Sequence, residues 1–260
     1  MGKSLDKAVS LLQAIAEQPR TLSELAAVAG LPASTTHRLL ADLGAHGLVR
    51  QDGRTFLLGT RLMSLGERAR RQFDLPDLAL PHMKALSEAT QETVHLGVLD
   101  GHEVVYLAKI EGSRGLQMAS YVGLRSSAQT TAMGKVLIAD LPRDDWESKI
   151  VDLPPRTERS IVAQADYMNE LHTVAEQGYA LDREENEVGV RCVAAPIHDA
   201  SGRAIAAISL SGAAAYISKE RQIELAPAVC ACANAVSATL GSESSSEQGP
   251  SPGRGLAVDR

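Results

Sequence analysis

The segment TLSELAAVAGLPASTTHRLLADLGAHGLVRQDG, Thr21 to Gly53, constrains the chain most, because it encodes a helix, a tight turn, a second helix and a β-hairpin without interruption. Thr21 followed by Glu24 has capping-box spacing, in which the hydroxyl and the carboxylate each satisfy an orphan amide, so a helix starts near Leu22. Leu22, Leu25, Ala26 and Ala29 give that helix one apolar face. Gly30 supplies the left-handed residue that helix ends favour. Pro32 cannot continue the first helix but suits the start of a second, whose exposed amides Ser34 or a neighbour is placed to serve.

In the second helix Thr36, Leu39, Leu40 and Leu43 recur at spacings of three and four and form the packing face. Ser34, His37, Arg38 and Ala41 point outward, a small, polar and cationic surface that fits a major groove of about 12 Å. Asp42 repels phosphate, so contact is expected to be richest at the helix N-terminus, where the dipole favours anions. After Gly47 the pattern changes to alternation around Asp52-Gly53, the turn pair of a hairpin. The hairpin reads as a wing. The expected DNA-contacting residues are Ser34, Thr35, Thr36, His37 and Arg38 from the helix, with Arg50 and Arg54 from the wing.

Charge divides along the chain in the same sense. Residues 1 to 75 carry ten Lys/Arg against seven Asp/Glu, whereas the remaining 185 carry 16 against 25. The net charge of −6 therefore conceals a basic head and an acidic body. No run reads as 18 consecutive apolar residues and the N-terminus lacks a signal-peptide core, which predicts a cytoplasmic protein with no membrane partner. The three cysteines, Cys192, Cys230 and Cys232, cannot all pair and define no disulfide framework. Neither a metal site nor a cofactor is expected.

Around the motif, Ser4 to Gln18 predicts a helix with Leu5, Val9, Leu12 and Ala16 on one stripe, joined by Ala8 and Ile15. Thr60 to Phe73 predicts another, striped by Leu62, Leu65, Ala69 and Phe73. Too short to stand alone, that helix either pairs with its twin in a dimer or packs on its own second domain. Helices are then expected at Leu80 to Gln91, Ala132 to Leu141, Arg143 to Ile150, Ala163 to Gln177 and Lys219 to Leu240. Strands are expected at Glu92 to Leu99, Glu103 to Ile110, Cys192 to His198 and Ala204 to Leu210. Hairpin-joined strands between helices predict an α+β domain with an antiparallel sheet. The tail from Gly241 is Ser-, Pro- and Gly-rich and reads as disordered.

The series GLPASTTHRLL at 30 to 40, TVHLGVLDG at 93 to 101, TTAMGKVLIA at 130 to 139, GYALDREENEVGVRCVAAPIHDASG at 178 to 202 and AISLSG at 207 to 212 resembles the IclR family of bacterial transcriptional regulators, over roughly residues 4 to 240. The resemblance implies a winged helix-turn-helix at 1–59, a dimerising linker helix at 60–76, a GAF-like effector domain at 77–240 and a tail at 241–260. It also implies a dimer or tetramer on double-stranded promoter DNA, switched by a small organic acid, with repression the expected sign. Effector-binding residues implied by the matching motifs are Met118, Ala132, Met133, Gly134, Asp182, Val190, Cys192, Ser209 and Ser211. Ala132, Met133 and Gly134 open a helix whose amides suit a carboxylate, and Asp182 offers a hydroxyl acceptor unless Arg183 and Arg191 pair with it. Polar Thr130, Thr131 and the serines favour a hydroxylated acid, while Met118 and Met133 accommodate an aromatic one. No enzyme motif is present, though Cys192 and Asp182 leave a thiol sensor or a small-acid enzyme as the alternative.

Overall fold

The computed structural model describes residues 3–70, 75–114, 118–150 and 153–246. The chain divides into two compact units, one ending at Asp74 and the other starting at Leu75.

In the first unit α1 (Lys3–Glu17) is followed by β1 (Arg20–Thr21), α2 (Leu22–Ala29), α3 (Ala33–Ala45), β2 (Val49–Asp52), β3 (Thr55–Leu58) and α4 (Thr60–Arg70). The capping box at Thr21 is formed: its amide donates to Glu24 Oε2 at 2.7 Å, and its hydroxyl accepts from the Glu24 amide. Gly30 ends α2 in the left-handed region at φ 61. Leu11, Ala14 and Ile15 of α1, Leu25 of α2, Leu39, Leu40 and Leu43 of α3, and Val49 and Phe56 of the hairpin close one small core.

Two expectations change here. On α1 the buried stripe is Leu11, Ala14 and Ile15, whereas Leu5 and Val9 are exposed. A helix apolar on more than one side satisfies the 3.6-residue period on several stripes, and only its neighbours select among them. The strand β1, two residues long and paired to β3 through Arg20↔Phe56 and Thr21↔Thr55, is too short to leave a period in the sequence. On α4 Leu62 is half-buried and Leu65 exposed, while Phe73 lies outside the described residues.

The second unit comprises α5 (Leu75–Thr90), β4 (Thr93–Asp100), β5 (Glu103–Ile110), β6 (Arg125–Ser127), α6 (Ala132–Ala139), α7 (Arg143–Lys149), α8 (Gln164–Gln177), β7 (Ala180–Arg183), β8 (Val190–His198), β9 (Ala204–Ala213) and α9 (Lys219–Ser246). Its six strands form one antiparallel sheet in the order β6-β5-β4-β9-β8-β7. Alternation along the strands feeds two cores. Val94, Leu96, Val193, Ile197, Ile208 and Leu210 face α5 and α9 and join Met83, Leu86, Val229 and Val236. Val104, Ala194 and Ala207 face the other way, toward Met133, Val136, Trp146, Tyr167 and Leu171. The α+β class and the antiparallel sheet agree with the sequence reading.

Helix α5 begins at Leu75 rather than Leu80, because Pro76 lies in its first turn, where a missing amide costs nothing, and Pro81 is absorbed within the helix. Strands β6 and β7, of three and four residues, escaped the periodic reading. The polar tail does not begin at Gly241: α9 continues to Ser246, and residues 247–260 lie outside those described. Although it holds no run of 18 consecutive apolar residues, Lys219–Leu240 is by length and composition long and apolar enough to cross a membrane, with a best 18-residue stretch of mean hydropathy 1.5. In this fold its Ala226, Val229, Ala233 and Val236 stripe is buried in the core shared with the sheet.

Candidate functional site

The first unit presents α3 and the wing as expected. Ser34, His37, Arg38 and Ala41 are exposed on α3, and Arg50 and Arg54 are exposed on the hairpin. None of the three guanidinium groups has an ion-pair partner among the described residues, so each is available to phosphate. Thr35 is half-buried. Thr36 is a correction: it is fully buried, its hydroxyl donates to the Pro32 carbonyl at 3.2 Å, and it belongs to the packing face. The start of α3 also lacks the expected side-chain cap, because Pro32 takes the cap position. Its first amides are therefore left for an anion.

In the second unit a cavity of about 240 Å³ opens between the sheet and the start of α6. Met118, Ala132, Met133, Asp182, Val190, Cys192, Ser209 and Ser211 all line it. The strand register explains the convergence, for Asp182 pairs with Cys192 and Cys192 with Ser211, so β7, β8 and β9 contribute one lateral row. Ser209 lies two residues along the same face, buried and with no hydrogen-bond partner for its hydroxyl among the described residues. Gly134 does not line the cavity. Its amide donates to the Thr131 hydroxyl at 3.1 Å, and a Cβ there would stand 2.0 Å from the Ala128 carbonyl oxygen, so the glycine serves close packing. Among the described residues, the α6 amides without an acceptor are those of Ala132 and Met133.

Asp182 is buried, and it is not paired with Arg183 or Arg191, which bind Glu170 and Glu184 respectively. Its Oδ1 accepts the amides of Glu185 at 2.7 Å and Asn186 at 3.4 Å. Burial outweighs these bonds and the nearby Lys135 ammonium, pushing the carboxyl up to about 7. Burial and then Asp182 push the Cys192 thiol well above its usual range, the opposite of what an attacking sulfur requires. Among the described residues no group of three or more His, Cys, Asp or Glu is placed to hold a metal ion.

Both units match models of one family: residues 4–53 match the IclR helix-turn-helix domain and residues 68–238 the C-terminal domain of bacterial transcriptional regulator IclR. The chain belongs to the IclR family. It is 36% identical over 243 residues to the HTH-type transcriptional regulator KdgR of Escherichia coli, spanning 92% of each chain. With the transcriptional repressor IclR of the same organism it shares 31% over 248 residues, 92% of this chain and 90% of the other. The fold is also that of an IclR homologue from Microbacterium hydrocarbonoxydans solved with 4-hydroxybenzoate, at TM-score 0.77 and 23% identity over 92% of this chain and 99% of the other. Its relatives make this IclR-family chain a transcriptional regulator with a DNA-binding helix-turn-helix domain.

The sequence reading of this IclR-family protein missed several cavity groups. His95 lies on β4 opposite Ser209, with Nε2 2.8 Å from Ser120 Oγ and its ring edge-on to Tyr106 at 5.0 Å. Burial, assisted by Lys109, holds the imidazole down at about 3, so it is neutral. Burial first, then Cys192, pushes the Tyr106 phenol up to about 12. A signal was available: within TVHLGV, His95 alternates with Val94 and Leu96 and so had to face away from their core. Lys109 closes the near wall by donating to the carbonyls of Met118 and Ser120 at 2.9 and 2.7 Å.

The wall opposite is the turn from Asp182 to Val190. Glu184, left-handed at φ 69, is held by the Gly189 amide, Arg191 and Arg159. Thr157 and Ser160 donate to the carbonyls of Glu184 and Glu185, both at 2.7 Å, and Thr130 donates to Asn186. Lys135, fully buried one turn into α6, bonds both Glu185 oxygens and Glu170. The run of acidic residues is thus a cross-braced turn.

Proposed function

We propose that this protein is a one-component switch, in which a small organic acid bound in the α6 cavity alters how the winged helix-turn-helix engages double-stranded promoter DNA. The observation that carries it is that Ala132 and Met133, whose amides have no acceptor among the described residues, line one cavity of about 240 Å³ with buried Ser209 and Asp182. Two amides at a helix start take a carboxylate, and the polar row takes hydroxyl or carbonyl oxygens. A small acid bound by a structural relative, and repressor relatives, support effector-relieved repression as the sign.

The reading assigns residues 1–59 to DNA binding, 60–74 to a dimerising linker and 75–246 to effector binding, with two or four copies acting in the cytoplasm. Exposed Met63 and Leu65 on α4 support its pairing with a twin. On DNA, Ser34, Thr35, His37 and Arg38 read or position the groove, and Arg50 and Arg54 hold the backbone. Binding rather than catalysis is the function supported by the elevated Cys192 thiol and the braced acidic turn.

The test is a gel shift on the DNA flanking its own gene, with and without a panel of hydroxylated and aromatic carboxylic acids. Sequence-specific binding that one acid weakens is the expected result; no specific binding under any condition defeats the reading. Turnover of an acid by the purified protein, abolished in C192S or D182N, supports the enzyme alternative instead.

A further inference from the structure

Asp182 feels a buried ammonium that two other carboxylates hold. Lys135 lies 2.8 Å from Glu185 and 3.0 Å from Glu170, and Glu170 takes a further bond from Arg183. Asp182 itself receives two backbone amides, with no direct ion pair among the described residues. The other buried cation at the cavity wall, Lys109 on β5, is already committed to the Met118 and Ser120 carbonyls and to Glu111 at 2.7 Å. On β4 and β5, His95 and Tyr106 are neutral, and on β8 Cys192 is a neutral thiol. Tyr167 on α8 is a neutral phenol, raised by burial and by Glu185 and Glu170. From α9, Gln222 donates to the Asp182 carbonyl at 2.9 Å and brings no charge. On β6, Arg125 is committed to Glu103 and Asp100. Arg156 and Glu187 line the cavity where both are exposed, one cation against one anion.

A carboxylate ligand entering this space meets Asp182 as a second anion with no spare buried cation between them. Two carboxylates in one enclosed site cannot both remain ionised, and one takes a proton. We propose that the cavity binds its anionic effector together with one proton, taken up from solvent and held on the Asp182 carboxyl. The proposal rests on the acid-receptor reading above and adds to it the chemistry of the bound state: Asp182 acts as a hydrogen-bond donor to the effector, not only as an acceptor. The group titrates from about 7 in the unliganded protein, so the linkage acts across the neutral range. Cytoplasmic acidification would then tighten effector binding.

Two measurements on the full chain separate this claim from the reading beneath it. The first follows the side-chain carboxyl signals of ¹³C-Asp-labelled protein without ligand, with D182N identifying the resonance; where D182N does not fold, sequential assignment identifies it. A titration midpoint in the neutral range is expected, and an Asp182 ionised throughout pH 5 to 9 overturns the proton claim alone. The second is calorimetry with D-gluconate, D-glycerate, glycolate and 4-hydroxybenzoate in two buffers of different ionisation enthalpy. Expected are an affinity falling about tenfold between pH 6 and pH 8, proton uptake rising toward one per site over that range, and a flat profile in D182N. An acid that binds with no proton uptake at pH 8 overturns the proposal. A panel in which no acid binds at either pH overturns the acid-receptor reading, and this proposal with it.

Discussion

Lys135 Nζ lies 2.8 and 3.0 Å from the two oxygens of Glu185, with both side chains closed off from water. The ammonium sits on α6 and the carboxylate on the turn carrying Asp182, so the bond joins two parts that line the cavity. Removing one partner of such a pair leaves an uncompensated charge. K135M is expected to destabilise the effector unit by about 3 to 5 kcal/mol in urea unfolding, and K135M/E185L to recover part of that loss. An unchanged midpoint in K135M would show that water reaches the pair.

Gly134 provides a steric test. A methyl group there meets the Ala128 carbonyl oxygen at 2.0 Å, and both backbones are fixed. G134A should cost about 3 kcal/mol and blunt stabilisation by any acid, because relief moves the start of α6. Thermal unfolding with and without acid reads both effects.

His95 and Asp182 titrate with opposite consequences for stability. The imidazole is depressed from 6.5 to about 3, so the unfolded chain binds the extra proton, and stability present above pH 6.5 is lost as pH falls. Between pH 7 and pH 5 the wild type should lose about 2 kcal/mol more than H95Q. Unfolding free energies at the two pH values check it, and parallel losses would mean that His95 is hydrated.

For Asp182 the folded carboxyl is raised from 3.8 to about 7, so the folded protein holds the extra proton and stability declines as pH rises across that window. Between pH 5 and pH 7 the wild type should lose about 2 kcal/mol more than D182N. An identical pH dependence in the two proteins would place the Asp182 proton elsewhere.

At the DNA face, exposed Arg38 on α3 and Arg54 on the wing separate reading from holding. R38A should weaken a specific site by about 1 to 3 kcal/mol and relax its sequence preference. R54A should weaken all sequences alike and reduce the salt-dependence slope by about one. Titrations on specific and scrambled DNA at several salt concentrations distinguish these outcomes.

The reading head was legible because each of its features is local: Thr21 with Glu24, Gly30, Pro32, and Asp52 with Gly53 act within a few residues of one another. Thr36 shows the limit, since one position of helical phase decides between groove and core. In the effector unit eight of nine proposed cavity residues converge, and Gly134 fails because Thr131 already occupies its amide. His95 and Ser120, 25 residues apart, meet only through the fold, and no local period marks the Lys135 network. Neither periodicity nor propensity carries information about which distant charges will share a burial site.

The cavity floor is a seam between strands made far apart in time. His95 faces Ser209 because β4 pairs with β9, which lies more than a hundred residues downstream. Among the described residues, the helix-turn-helix core uses nothing beyond Phe56. During synthesis the chain can therefore complete the helix-turn-helix core long before the cavity of the second unit exists, and non-local pairing is the slow step of sheet formation.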